Sequence, residues 1–346
     1  MILFHNDYNE VCHPAVLKAL NDSATQQYPG YGVDDLCNRA AARIKTLCNN
    51  DNLHVHFLVG GTQTNLTVIA ASLRPYQGVI SADTGHINVH ETGAIEATGH
   101  KVLALYSPDG KLTADQIRKA AGEQSEAMDA EHTVQPKMVY ISNTTEVGTI
   151  YTLAELEAIS ATCKACGLYL FMDGARLGYG LTAPGNDITL ADLARLCDVF
   201  YIGGTKVGAM FGEAVVISND RIAEDFRYMI KQRGGMLAKG WLLGLQFETL
   251  FTDGLYFEIS KHANKLAQQL RDTLASLQIP VLVDSPSNQI FPILPDAVLQ
   301  KLDKDFTYNM MQRTDDAHCC VRFCTSWATK QADMDALCDA LVKYSK

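Results

Sequence analysis

From His54 to Ile217 the chain alternates short runs of apolar and β-branched residues with longer stretches whose apolar positions recur at helical spacing. The short runs predict strands over 54–59, 79–82, 101–105, 138–141, 168–173, 199–202 and 214–217, with helices between most of them. Strands joined by helical crossovers predict an α/β fold around a mostly parallel seven-stranded sheet, covered on both faces. Beyond Arg221 the pattern turns helical, including a helix over 264–277. It then predicts strands at 281–283, 289–293 and 320–324 and a closing helix from Gln331, which together make a smaller α+β unit. The first 50 residues carry helical stretches at 13–21 and 34–48, joined by the Gly/Tyr/Pro-rich segment QQYPGYGVDD. The expected organisation is an N-terminal segment (1–50), a large domain (51–245) and a small C-terminal α+β domain (246–346), with no internal repeat.

Composition removes whole classes of function. With 29 Lys+Arg against 39 Asp+Glu the net charge is −10, and the cations are scattered rather than set in the basic stripe that nucleic acid requires. No run reaches the ~18 apolar residues of a membrane span. The opening MILFHNDYNEV lacks a basic region followed by an apolar one, so no membrane or nucleic-acid partner is expected and a cytoplasmic location is. Ten cysteines without repeating spacing read as buried thiols. Cys163 and Cys166 form a C-x-x-C inside a helical stretch, with no second pair to complete a zinc site. His86 and His90, four apart, lack a third ligand, so no metal is expected either.

Ligands of open α/β sheets bind beyond the carboxyl ends of the strands, and three features fall there. The turn Gly60-Gly61-Thr62-Gln63-Thr64-Asn65 follows a strand and opens a helix, so its backbone N–H groups can hold a phosphate. Asp173 closes the apolar strand LYLFMD, where a carboxylate is costly unless a cation meets it. Lys206 follows the next strand in the run GGTK, 33 residues after Asp173. A cofactor with a phosphate, a basic ring nitrogen and an aldehyde needs these three groups, and pyridoxal phosphate has that shape.

At these residues the chain resembles the low-specificity threonine aldolases within the β-eliminating lyase branch of fold type I pyridoxal-phosphate enzymes. GGTQTN resembles the family's phosphate turn, implying cofactor contacts from Gly61, Thr62 and Gln63, and DTGHINVHETGA resembles the segment whose histidine, here His86, stacks on the cofactor ring. MDGARLG resembles the D-G-A-R signature. It implies Asp173 at the ring nitrogen and Arg176 beside both cofactor and substrate carboxylate. GTKVG places Lys206 as the covalent attachment point, with Thr205 in the position of a phosphate-contacting serine. VRFCTSW implies that Arg322 clamps the substrate carboxylate. PGYGVDD implies that Tyr31 lines the site at a dimer interface, against which the N-terminal segment packs. Three departures stand out. Asn6 replaces a substrate-holding serine, Thr145 stands where a second histidine approaches the substrate hydroxyl, and Gly234-Gly235-Met236 is followed by Leu237 instead of an arginine, leaving Arg233 or Lys239 as substitutes.

The resemblance implies a homodimer or dimer of dimers that cleaves the Cα–Cβ bond of a β-hydroxy-α-amino acid, threonine or allo-threonine, to glycine and an aldehyde. Lys206, His86 and Asp173 are its expected catalytic residues. The alternative is a pyridoxal-phosphate β-eliminating lyase or aminotransferase. A cofactor-binding protein without turnover is opposed by the intact Lys206 and Asp173. With Thr145 unable to accept a proton near neutral pH, the base role is expected to pass to His86, water or the cofactor phosphate, and Thr145→His to raise cleavage.

Overall fold

The computed structural model describes residues 1–126 and 128–345. Its centre is a seven-stranded sheet of β1 (His54–Leu58), β2 (Gln77–Ala82), β3 (Val102–Leu105), β4 (Gln135–Ser142), β5 (Tyr169–Asp173), β6 (Val199–Gly203) and β7 (Glu213–Ile217), in the spatial order β1-β7-β6-β5-β4-β2-β3. All run parallel except β7, which lies antiparallel between β1 and β6. The carboxyl ends of the other six and the amino end of β7 therefore share one edge.

Strand alternation builds a core on each face. Leu170, Met172, Phe200, Ile202 and Val216 pack into one, while Phe171, Tyr140, Tyr201, Val199 and Val215 pack into the other. Asp173 shares the parity of Phe171, so it emerges on the face of Tyr140 and Tyr201, with the β4–β5 register pairing Tyr140 to Phe171 and Ser142 to Asp173. Two phenols are thereby placed beside one carboxylate by sheet geometry alone.

The C-terminal region has its own core, formed by Leu266, Leu270, Leu294, Val321, Phe323 and Leu337. Helix Leu255–Ser276 ties the two regions together: Tyr256, Ile259 and Ala263 belong to the large core, Leu266 to Leu274 to the small one. Phe4 also enters the small core, and strand Ile2–Leu3 pairs in parallel with Phe306–Thr307. The N-terminus is thus pinned to residues some 300 positions away. The strand expected at 281–283 is reduced to a single bridge, Val281 to Pro292. Leu282 is 40% exposed and the segment lacks a buried face to fix a register. A strand Asn309–Arg313, absent from the sequence expectation, pairs with His318–Cys324 across a bulge at Met310/Gln312. All ten cysteines are free thiols.

Candidate active site

A cavity of about 290 Å³ opens at the shared edge and is lined by Gly60, Gly61, Thr62, His86, Asp173, Arg176, Thr205 and Lys206. Eight strand-end and turn residues, spread over nearly 150 positions of sequence, thus meet around one space.

One end of it is the start of helix Gly61–Ser72, where the first intrahelical bond is Thr64 N–H to Gly60 C=O, 3.0 Å. The amides of Gly61, Thr62 and Gln63 precede that bond and stay available to a ligand. Only the backbone amide of Gln63 is left free there. Its side-chain amide donates to Arg233 C=O, 3.2 Å, and its Oε1 accepts from Val59 N–H, 3.4 Å.

At the other end Asp173, 4% exposed, accepts four hydrogen bonds. Tyr201 Oη donates to Oδ1 and Tyr140 Oη to Oδ2, each at 2.5 Å, with Ala175 N–H at 2.9 Å and Asn65 Nδ2 at 3.2 Å. Burial, reinforced by Asp173 itself, pushes both phenols well above their ordinary pKa, so they remain hydrogen-bond donors to the carboxylate. Asn65 also donates to Glu91 Oε1, 2.7 Å, and His86 Nδ1 lies 2.8 Å from the same oxygen. Glu91 is buried and orients the His86 ring, while Glu146, held by Ser142, accepts from the His86 backbone N–H at 2.8 Å. Burial, then Asp173, raises the Glu146 carboxyl.

Lys206 lies between these ends, its backbone C=O fixed by Tyr179 Oη at 2.6 Å. Burial and then the Arg176 charge lower its pKa below the ordinary lysine value. Arg176 itself is engaged by Asp7, Nε to Oδ2 at 2.7 Å and Nη2 to Oδ1 at 2.9 Å, and Asn288 Nδ2 adds 2.9 Å to the same carboxylate. Thr205 Oγ1 donates to Glu213 Oε1 at 2.9 Å and accepts from Gly212 N–H at 3.1 Å.

Several expected residues stand outside the cavity wall. Asn6 Oδ1 caps Tyr8 N–H, 3.0 Å, and it is Tyr8 that reaches the lining. Arg322 donates to Gln289 Oε1, 3.2 Å, and His5 C=O, 3.3 Å, with Nε buried and unpartnered. Tyr31 lies on the surface, its ring 5.0 Å from Lys231 Nζ and its carbonyl accepting from Arg227 at 3.0 Å. Thr145 is turned away, buried against Thr149 Oγ1 at 2.7 Å, and its neighbours Thr144 and Glu146 line the cavity instead. The expectation that a histidine at 145 would meet the substrate is corrected by this orientation. Of the two substitutes for the missing arginine, Arg233 is half-buried with Nε unpartnered and Lys239 is exposed.

Asp7, Tyr140, Tyr201, Glu146 and Glu213 join the site without any motif in the sequence to mark them. Period-two alternation around Asp173 was a usable signal for the two tyrosines; the acids gave none. Among the described residues no group of three His, Cys, Asp or Glu side chains converges to hold a metal ion.

Comparison with known proteins places this geometry. The family model described as beta-eliminating lyase matches residues 12–296. A low specificity L-threonine aldolase from a Pseudomonas species is 33% identical over 333 residues, 94% of this chain and 93% of that protein. The solved threonine aldolase of Leishmania major superposes with a TM-score of 0.97 at 48% identity, covering 100% of both chains. The Sphingomonas wittichii serine palmitoyltransferase, at TM-score 0.75 and 14% identity over 99% of this chain and 86% of that one, shares the fold. The chain belongs to the beta-eliminating lyase family, with the fold of type I pyridoxal-phosphate enzymes.

Proposed function

We propose that this protein is a pyridoxal-phosphate-dependent aldehyde-lyase that cleaves the Cα–Cβ bond of threonine or allo-threonine, giving glycine and acetaldehyde. The observation that carries the reading is Asp173, a buried carboxylate held by four donors at one end of a cavity whose other end is a row of free helix amides, with Lys206 between. The donor set suits the cofactor: amides for a phosphate, a fixed anion for a ring nitrogen, an amine for an aldehyde. Bound there, pyridoxal phosphate supplies the sink for the electron pair released when the bond breaks.

The chain's own residues do the rest. Lys206, depressed by burial and by Arg176, is more readily the free amine that acts as a nucleophile. Asp173 holds a proton at the ring nitrogen. His86, oriented by Glu91, presents Nε2 to the substrate hydroxyl as acceptor of its proton. Arg176 is neutralised by Asp7, whereas Arg322 forms no ion pair among the described residues. Arg322 is therefore the cation available to the substrate carboxylate, with Asn6 next in sequence to the His5 carbonyl that Arg322 bonds. A second copy completes the assembly around the exposed Tyr31 and Tyr228, with the half-buried Met236 between them and the core, and the location is cytoplasmic.

Incubating the holoenzyme with a panel of β-hydroxy-α-amino acids while assaying glycine, aldehyde, ammonia and keto acid tests the reaction. Glycine and aldehyde in equal amounts are expected. Ammonia or keto acid in their place transfers the chain to elimination or transamination. Sedimentation tests the dimer, and a fully active monomer removes Tyr31 from the site.

A further inference from the structure

β7 is the one antiparallel strand of the main sheet, and its first residue is an acid. Glu213 pairs with Leu58 on one side and Gly203 on the other. It therefore sits between the strand that leads into the Gly60–Thr62 turn and the strand that leads into Thr205 and Lys206. It is 3% exposed and lines the cavity. Gly204 N–H donates to its Oε2 at 3.0 Å and Thr205 Oγ1 lies 2.9 Å from its Oε1. No cation lies within ion-pair distance of it among the described residues. A buried carboxylate at the anion-binding end of a pocket is unfavourable as a charge twice over, through desolvation and through repulsion of the ligand.

We infer that Glu213 is a positioning residue for the cofactor phosphate, its proton deciding whether the Thr205 hydroxyl donates to that phosphate or to Glu213. The inference rests on the reading that the Gly60–Thr62 turn and Thr205 hold the phosphate. Thr205 has one hydroxyl proton and two lone pairs, one of which accepts from Gly212 N–H at 3.1 Å. With Glu213 protonated, its O–H fills the second lone pair and the Thr205 proton is free for a phosphate oxygen. With Glu213 ionised, Thr205 gives that proton to Glu213 and presents the ligand with a charge behind it. Gly204 N–H bonds to Oε2 in both states.

Burial pushes the Glu213 carboxyl up to about 8, against the opposing pull of Thr205, Gly204 N–H and Lys206, with Asp173 adding to the rise. The other groups facing it are Tyr201 and Tyr256, whose pKa values burial raises above the ordinary phenol value, so both stay neutral across this range. The protonated form, and with it the Thr205 donor, prevails below about pH 8 and is lost above it.

Phosphorus NMR of the holoenzyme reads this directly, without turnover. From neutral to alkaline pH the bound phosphate resonance of the wild type should shift as Glu213 titrates, the phosphate charge adding to the burial that raises its carboxyl. Glu213→Gln should abolish that titration and Glu213→Asp restore one at a displaced midpoint. An invariant wild-type resonance, or a Glu213→Gln titration like the wild type, overturns the inference. If Glu213→Gln does not fold, the wild-type and Glu213→Asp spectra still decide. A resonance in Thr205→Val identical to the wild type would remove Thr205 from the phosphate and sink the underlying reading instead. One that responds to Thr205→Val but not to Glu213→Gln sinks only the role of Glu213.

Discussion

Asp7 and Arg176 meet in a two-point ion pair, with Nε and Nη2 of the guanidinium on the two carboxylate oxygens at 2.7 and 2.9 Å and Asp7 fully buried. This fork ties the N-terminal segment to the turn after β5 and so closes one wall of the cavity with residues 169 positions apart. Burial alone would raise the Asp7 pKa, but Arg176, then Lys206, hold it below the ordinary aspartate value of 3.8.

Asp7→Asn should therefore destabilise the fold by about 3–5 kcal/mol, since a buried guanidinium is left without its counter-charge. A group whose folded pKa is depressed contributes stability above its unfolded pKa and loses it as pH falls through the folded one. The deficit of the variant in urea unfolding should be constant from neutral pH to about pH 5 and shrink below the ordinary aspartate value. An equal deficit at all pH values would show that shape rather than charge makes the contact.

Asp173→Asn keeps the volume at the end of β5 and removes the charge. The amide still accepts from some of its four donors, so the fold and cofactor content should survive. The ring nitrogen loses the anion that holds its proton, and turnover should fall on the order of 10²-fold or more. Cofactor absorbance and steady-state cleavage measured on one preparation separate the two effects. Normal turnover would reduce Asp173 to a cap on Ala175 N–H.

His86 is held at two points, its backbone N–H by Glu146 and its Nδ1 by Glu91, which Asn65 holds in turn. His86→Asn should lower kcat by about 10²–10⁴-fold, the usual worth of a positioned acid–base group. Glu91→Gln, which retains an acceptor but not its charge, should lie between that variant and the wild type. Stopped-flow cleavage of threonine checks the order. If Glu91→Gln were as impaired as His86→Asn, the charge of Glu91 rather than its geometry would be what the imidazole needs.

The parts legible in the sequence are those set by local pattern. Apolar runs closed by Asp173 and by Gly203-Gly204 place both groups at strand ends before any tertiary contact is known, and a strand followed by Gly60-Gly61 marks the anion turn. What escaped depends on distance. Strand Ile2–Leu3 is two residues long and takes its meaning from Phe306–Thr307. Asp7 is an ordinary acid until Arg176 is folded against it, and Glu213 looks like the polar start of any strand until β7 is seen to run antiparallel. Arg322 was read from its string, but its neighbours His5 and Gln289 come from two other segments.

Thr145 separates sequence position from orientation. The two threonines of Asn143-Thr144-Thr145 face opposite ways: Thr144 lines the cavity, while Thr145 bonds Thr149 Oγ1 at 2.7 Å and accepts from Thr149 N–H at 3.1 Å. A histidine at 145 enters a fully buried site with no exit to the substrate. Thr145→His should therefore leave threonine cleavage unraised and cost about 1–3 kcal/mol in stability through overpacking and the lost hydroxyl pair. Thermal unfolding and steady-state cleavage on the purified variant decide it together. A gain in cleavage rate would mean that the 143–149 turn rearranges to deliver the ring, and the assignment of the proton-accepting role to His86 would then fail.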